Sequence, residues 1–309
     1  MHSVDLPALD GRDPLGFLAA LGLLRLLNQL GEARLSFSDT TATAVLTSRF
    51  ASIQEIAEAL VGMLNGDGAI IGVHPSLPLK AGVGADPMRR ERAEFRTFTT
   101  EVTEIDEDFA KGWLPAVVTD LAIDQAERAA ITPFMSPRGK QNMRTFFASP
   151  LAAVRDRPGY LLEALTGWRR VPGFTGEYFD HRVLCSAADD TEGRTGQEMG
   201  VPGATWLATM ALPLFRLTGD GERRSATLWR RYDRKTFMIW PLWRPELGVA
   251  AVQCLLEHPA FRLRDDRPSV SDLDWGPLDV FGVYGADRQT IPGANFDGVL
   301  APVTIHVRA

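Results

Sequence analysis

Cysteine is nearly absent: 309 residues contain only Cys185 and Cys254. Neither belongs to a CxxC, so a disulfide framework is not expected. Both read as small buried apolar residues in a reducing compartment. The five histidines, His2, His74, His181, His258 and His306, are scattered. They form no HExxH and no zinc-knuckle spacing, so no metal or other cofactor is expected. No GxSxG occurs and neither cysteine has a neighbouring histidine, which leaves nucleophilic catalysis without support. Gly139-Lys140 lacks the glycine spacing of a P-loop. No internal repeat and no low-complexity tract is visible. These absences point to a chain that holds something rather than cuts it.

A membrane-spanning run is missing too. Residues 15–30 are nearly all apolar, but about 16 residues is short for a span. Arg25, Asn28 and Gln29 interrupt the run. Asp5, Asp10, Arg12 and Asp13 precede it, where a signal peptide carries a purely basic region. The run reads as a buried core helix and the protein as cytoplasmic.

An excess of positive charge is also lacking, since the net charge is −6. Net charge hides distribution, however. Residues 136–170 carry seven basic and two acidic side chains, and so do residues 221–244. Two basic islands lie in an acidic body. With 45% apolar and 23% charged residues the chain has an ordinary globular balance.

The pattern predicts an α+β fold, mostly helical in its middle, with short strands and hairpins near both ends. Asp13 is a natural N-cap, Pro14 suits the first helical position, and Gly31 is the expected C-cap. Strands are expected over 34–38 and 43–47, and an amphipathic helix over 51–64 with Ile53, Ile56, Leu60 and Leu64 on one stripe. Residues 62–87 read as a glycine- and proline-rich loop with a short strand at 69–73. A basic block at 89–96 and an acidic one at 101–108 read as solvated helix faces. Helices are expected over 113–130, 141–155, 159–168, 178–188, 202–212 and 246–257. Residues 226–231 and 236–241 suggest a hairpin, and 278–284 and 300–307 the closing strands. Three parts follow: 1–130 with the loop 62–87, a helical part 131–220 with a basic loop, and 221–309 with a basic hairpin.

Four segments could carry chemistry. In the first, prolines and a glycine fix a loop ahead of a helix, where Arg138, Lys140, Asn142 and Arg144 supply donors for phosphate. Phe146 and Phe147 offer stacking or core packing. The second is Trp168-Arg169-Arg170, where Arg169 and Arg170 suit backbone contact or a helix C-terminus. The third is the hairpin tip from Trp229 to Lys235. There Arg230, Arg231 and Lys235 could enter a groove or protect a sheet edge. Alternation puts Arg230 on the face opposite Trp229 and Arg231. The fourth is acidic: Asp180, Asp189, Asp190 and Glu192 could be imagined as a nuclease metal site, or as a solvated loop.

The stretch from Gly11 to Arg25, GRDPLGFLAALGLLR, resembles the N-terminal segment of CRISPR-associated proteins of type I-G systems, formerly I-U. Pro202-Gly203-Ala204-Thr205-Trp206-Leu207-Ala208 with Ala211-Leu212-Pro213-Leu214-Phe215 is similar to the same group, as is Thr175-Gly176-Glu177 with Asp180. The resemblance implies a large-subunit-like member of a Cascade-type, RNA-guided complex. Its expected partners are the other Cascade subunits, guide RNA and target double-stranded DNA. Such a subunit lies near the 5′ end of the guide and probes the motif flanking the target, while base pairing reads the sequence. The alternatives are a metal-dependent nuclease and a purely structural interaction protein.

Overall fold

The fold is described from a computed structural model. It covers residues 1–65, 71, 90–124, 127–135, 143–183, 198–232, 235–261, 269–271, 275–289 and 298–308. The chain is α+β.

Strand β1 (His2–Asp10) leads directly into helix α1 (Pro14–Asn28). The Asp13 carboxylate accepts from the Leu15 N–H at 2.9 Å and the Gly16 N–H at 3.3 Å, and Pro14 sits at N1. Every residue from Pro14 to Leu27 is buried, as expected for a helix apolar on all sides. Its C-cap is Gln29 rather than Gly31, which follows two residues later at φ 147°. Strands β2 (Arg34–Phe37) and β3 (Thr43–Ser48) join β1 in an antiparallel sheet of order β1-β3-β2. The sequence reading omitted β1. Ser3, Asp5, Pro7 and Asp10 disguise the burial of Val4, Leu6 and Leu9, and an edge strand tolerates Pro7.

Helix α2 (Ile53–Met63) is capped by Ser52 and buries Ile56 and Leu60 on the expected stripe. Helices α3 (Arg92–Ile105) and α4 (Glu107–Val117) follow, the second capped by Asp106. The single helix expected over 113–130 is not formed. At Val118 the backbone turns extended (φ −147°, ψ 149°), and β4 (Val118–Ile123) pairs with β5 (Ala129–Ile131). The β-branched run Val117-Val118-Thr119 favours that exit over another helical turn.

Helices α5 (Met143–Asp156) and α6 (Gly159–Thr166) form as expected, and the pair β6 (Val171–Pro172) and β7 (Met199–Gly200) follows in space. No α-helix forms in the described part of 178–188. Gly176, Glu177 and Tyr178 all lie at left-handed φ (60°, 50° and 60°), which stops a right-handed helix. The Asp180 side chain then takes the Arg182 backbone N–H at 2.9 Å, closing a local turn instead.

Helix α7 (Pro202–Met210) is wholly buried and packs along α1. Gly22 sets that approach, since a Cβ there would stand 1.7 Å from the Leu207 carbonyl oxygen; Gly203 sets the approach of α7 to α6, where a Cβ would stand 2.0 Å from the Tyr160 carbonyl oxygen. Arg25, buried on α1, donates to the Met210 carbonyl at 3.1 Å and lies 4.9 Å from the Trp113 ring centre. It thereby meets the negative end of α7. Burial pushes its pKa down to about 10.

Two hairpins follow: β8 (Leu217–Gly219) with β9 (Arg224–Ala226), then β10 (Trp229–Tyr232) with β11 (Lys235–Trp243). Helix α8 (Val249–Leu256) is shorter than the expected 246–257. Cys254 on it is exposed, against the expectation of burial, while Cys185 lies outside the described residues. Strand β12 (Ser269–Ser271) pairs in parallel with the last strand. Strands β13 (Val280–Gln289) and β14 (Val299–Val303) complete an antiparallel sheet of order β10-β11-β13-β14, and β15 (His306–Arg308) ends the chain. The expected strand over 300–307 is thus two strands. Among the described residues no helix is long and apolar enough to cross a membrane.

Candidate nucleic-acid interface

Arg138, Lys140 and Asn142 lie outside the described residues, and Arg144 is described only as part of the α5 backbone. Both ends of that segment are placed. On its N-terminal side Phe134 stacks on Phe215 (centroids 5.0 Å) and meets Trp229 edge-on (5.5 Å). Arg288 on β13 donates to the Phe134 carbonyl at 2.5 Å, to that of Pro133 at 3.2 Å, and to Gly298 at 3.0 Å. Arg224 on β9 donates to the Ile131 carbonyl at 2.6 Å. Residues 131–134 are therefore clasped by Arg224 and Trp229 of the second island and by Arg288 of β13. On the C-terminal side Phe146 packs against Phe179 at 5.7 Å, beside Asp180. Phe146 and Phe147 are both buried, so they serve the core rather than stacking on bases.

In the hairpin, Trp229 is buried, Arg230 half-buried and Arg231 exposed. Arg230 donates to its neighbour's carbonyl, Trp229 O, at 3.1 Å. Lys235 is exposed and opposes Tyr232 in the ladder. Strand β10 is a sheet edge, so its backbone is not covered by a further strand of that sheet.

In the second segment, which follows the C-terminal end of α6, both arginines stand beside carboxylates. Arg170 donates to Asp180 Oδ2 at 2.5 Å and to the Met199 carbonyl at 2.9 Å. Arg169 stands 3.7 Å from Glu163, which Arg157 also holds at 2.9 Å. Arg170 is thus engaged in an internal pair that ties β6 to β7. Asp180, offered as a metal ligand, has both oxygens occupied: Oδ2 by Arg170 and Oδ1 by Arg182 Nε at 2.9 Å. The other proposed ligands, Asp189, Asp190 and Glu192, lie outside the described residues.

Arg182 continues the ladder to Asp13 Oδ2, so the residue that caps α1 also anchors the left-handed turn. Burial alone raises Asp180, but the hydrogen bonds and charges of Arg182 and Arg170 outweigh it and hold the carboxyl below its ordinary range. Burial pushes the Asp13 carboxyl up to about 6, against the charge of Arg182 and the two cap N–H groups. A carboxyl raised in the folded state stabilises the fold fully below the unfolded pKa, and that contribution is lost as pH rises through about 6. Relative to Asp13→Asn, the native chain should gain roughly 1.4 kcal/mol between about pH 7.5 and pH 5. Paired melting curves at the two pH values measure it. An equal melting difference at both would mean that Asp13 does not titrate there.

Sequence reasoning missed Arg182, Arg224 and Arg288. A signal existed for Arg182: Asp180-His181-Arg182 repeats the spacing of Asp10-Gly11-Arg12, where Arg12 Nη2 grips Asp10 at 2.7 Å. Arg224 and Arg288 act on carbonyls 93 and 155 positions away, and no local pattern announces them. No family model matches the chain, and no curated protein matches it.

Proposed function

We propose that this chain is a non-catalytic, nucleic-acid-contacting subunit of an RNA-guided complex of the Cascade type. In this reading it holds sugar–phosphate backbone of guide RNA or target DNA beside the target-flanking motif, and other subunits complete the complex. The observation that carries the reading is how the three resembling segments meet. Residues 11–25, 175–180 and 202–215 are spread along the chain, yet α1 packs on α7 through Gly22. Gly176 lies against Thr205 Oγ1, 3.4 Å from where its Cβ would be. Asp180 is joined to Asp13 through Arg182. The likeness falls on one packed unit rather than on three unrelated apolar stretches.

The cations support the same reading. The hairpin and β9 pack on Ile131 and Phe134, and Phe179, next to Asp180, packs on Phe146 in α5. Backbone binding needs donors and positive charge without the geometry of an enzyme. The engagement of Arg170 inside the fold favours a structural share for that residue, so contact is assigned to Arg138, Lys140, Arg144, Arg231 and Lys235. The test is titration of the full chain with a mixed-sequence DNA duplex at several salt concentrations. Log affinity should fall linearly with log salt. Absence of binding at low salt would leave the purely structural alternative.

A further inference from the structure

The ladder from Asp13 to Arg170 contains one guanidinium that the fold fixes without using up. Arg182 Nε is held by Asp180 Oδ1, Nη2 by Asp13 Oδ2, and the guanidinium carbon lies 5.2 Å from the Trp168 ring centre. Trp168 is itself pinned, its indole N–H donating to the Ala164 carbonyl at 3.2 Å. Three sides of Arg182 are thus positioned. Nη1 has no hydrogen-bond partner among the described residues, and the side chain is 40% exposed. The carboxylates beneath are buried, Asp180 at 3% and Asp13 at 11% exposure, so an approaching anion meets the guanidinium edge first. The neighbouring His181 has a buried Nδ1 with no partner, 3.7 Å from Asp180. The left-handed turn at Gly176–Tyr178 holds the whole group at a conformational cost that packing must offset.

We infer that Arg182 is a further phosphate-contacting residue, with Asp13, Asp180 and the Trp168 ring as the groups that position it. The inference rests on the nucleic-acid reading above. A guanidinium already fixed on three sides loses little freedom when it meets a phosphate oxygen, and its open edge offers a charge-assisted hydrogen bond. Two carboxylates balance Arg170 and Arg182, so the cluster adds direction rather than net charge.

The test uses the full chain and the same mixed-sequence duplex. Arg182→Gln should weaken binding about tenfold and reduce the salt slope by about one. Asp13→Asn keeps an N-cap through its amide oxygen but turns an N–H donor toward Arg182 Nη2, so the guanidinium loses one of its three fixed sides. It should weaken binding by about threefold while the salt slope and the melting midpoint at about pH 7.5 hold, a combination that a merely structural role would not produce. If Arg182→Gln does not fold, Asp13→Asn alone decides. Affinity unchanged in a folded Arg182→Gln, or unchanged in Asp13→Asn, overturns the inference. Binding that depends on Arg231 and Lys235 but ignores Arg182 overturns it alone. A native chain that binds no duplex overturns the functional reading with it.

Discussion

Gly22→Ala should lower the thermal midpoint by roughly 6 °C or more, because the helix pair at the centre of the molecule has no room for one methyl group. The added Cβ would lie 1.7 Å from the Leu207 carbonyl oxygen and 2.7 Å from its carbon. Both atoms are backbone, so no side-chain rotation relieves the clash, and α1 must move off α7. Overpacking of this kind costs about 3 kcal/mol or more. In an open helix the same substitution gains about 0.5–1 kcal/mol, because alanine is the better helix former. Gly62 in α2 provides that control, since a Cβ there meets nothing within 4 Å. Gly62→Ala should hold or raise the midpoint while Gly22→Ala collapses it. Equal melting of the two variants would mean that α1 and α7 are not in contact.

Replacing Arg138, Lys140, Arg231 and Lys235 together by alanine should reduce duplex affinity on the order of a hundredfold at about 0.1 M salt. The same variant should reduce the slope of log affinity against log salt by about three to four, since each neutralised phosphate contributes close to 0.9. The four residues come from the two islands; Phe134, two positions before the first, packs edge-on against Trp229 in the second. The fold should survive. Arg231 and Lys235 are exposed, and Trp229, which carries the packing, is untouched. Arg34→Ala is the matched control: its cation is already paired with Glu32 at 2.7 Å, on the sheet of β1, β3 and β2. That variant should leave the slope as it is. A slope unmoved by the fourfold change would reject these residues as the contact.

The parts of the fold legible in the sequence are those specified locally. Asp13 and Pro14 announce the start of α1, Ser52 and the Ile56–Leu60 stripe mark α2, and the alternation on either side of Asp233 marks the β10–β11 hairpin. Where local and tertiary preferences disagree, the reading failed. The stripe of Val117, Leu121 and Ile123 suggests a continuing helix, yet the β-branched Val118, Thr119 and Ile123 pair with residues 129–131 in a strand. Residues 176–178 form a single 3-10 turn with left-handed φ, not the start of the expected α-helix. Three successive left-handed residues are held there by α7 and the Asp13–Arg182–Asp180 ladder, which no local pattern encodes. Among the site residues, the charge pattern located both islands but could not separate contact from support. Arg170 looked like a phosphate ligand because its partner, Asp180, is buried ten positions away behind a turn the sequence does not show.

The most direct measurement is the identity of what remains bound when the tagged full chain is purified from its native cells. The account predicts an RNA of uniform length together with companion proteins, released as salt rises. Recovery of those proteins with no nucleic acid, even at low salt, would contradict it.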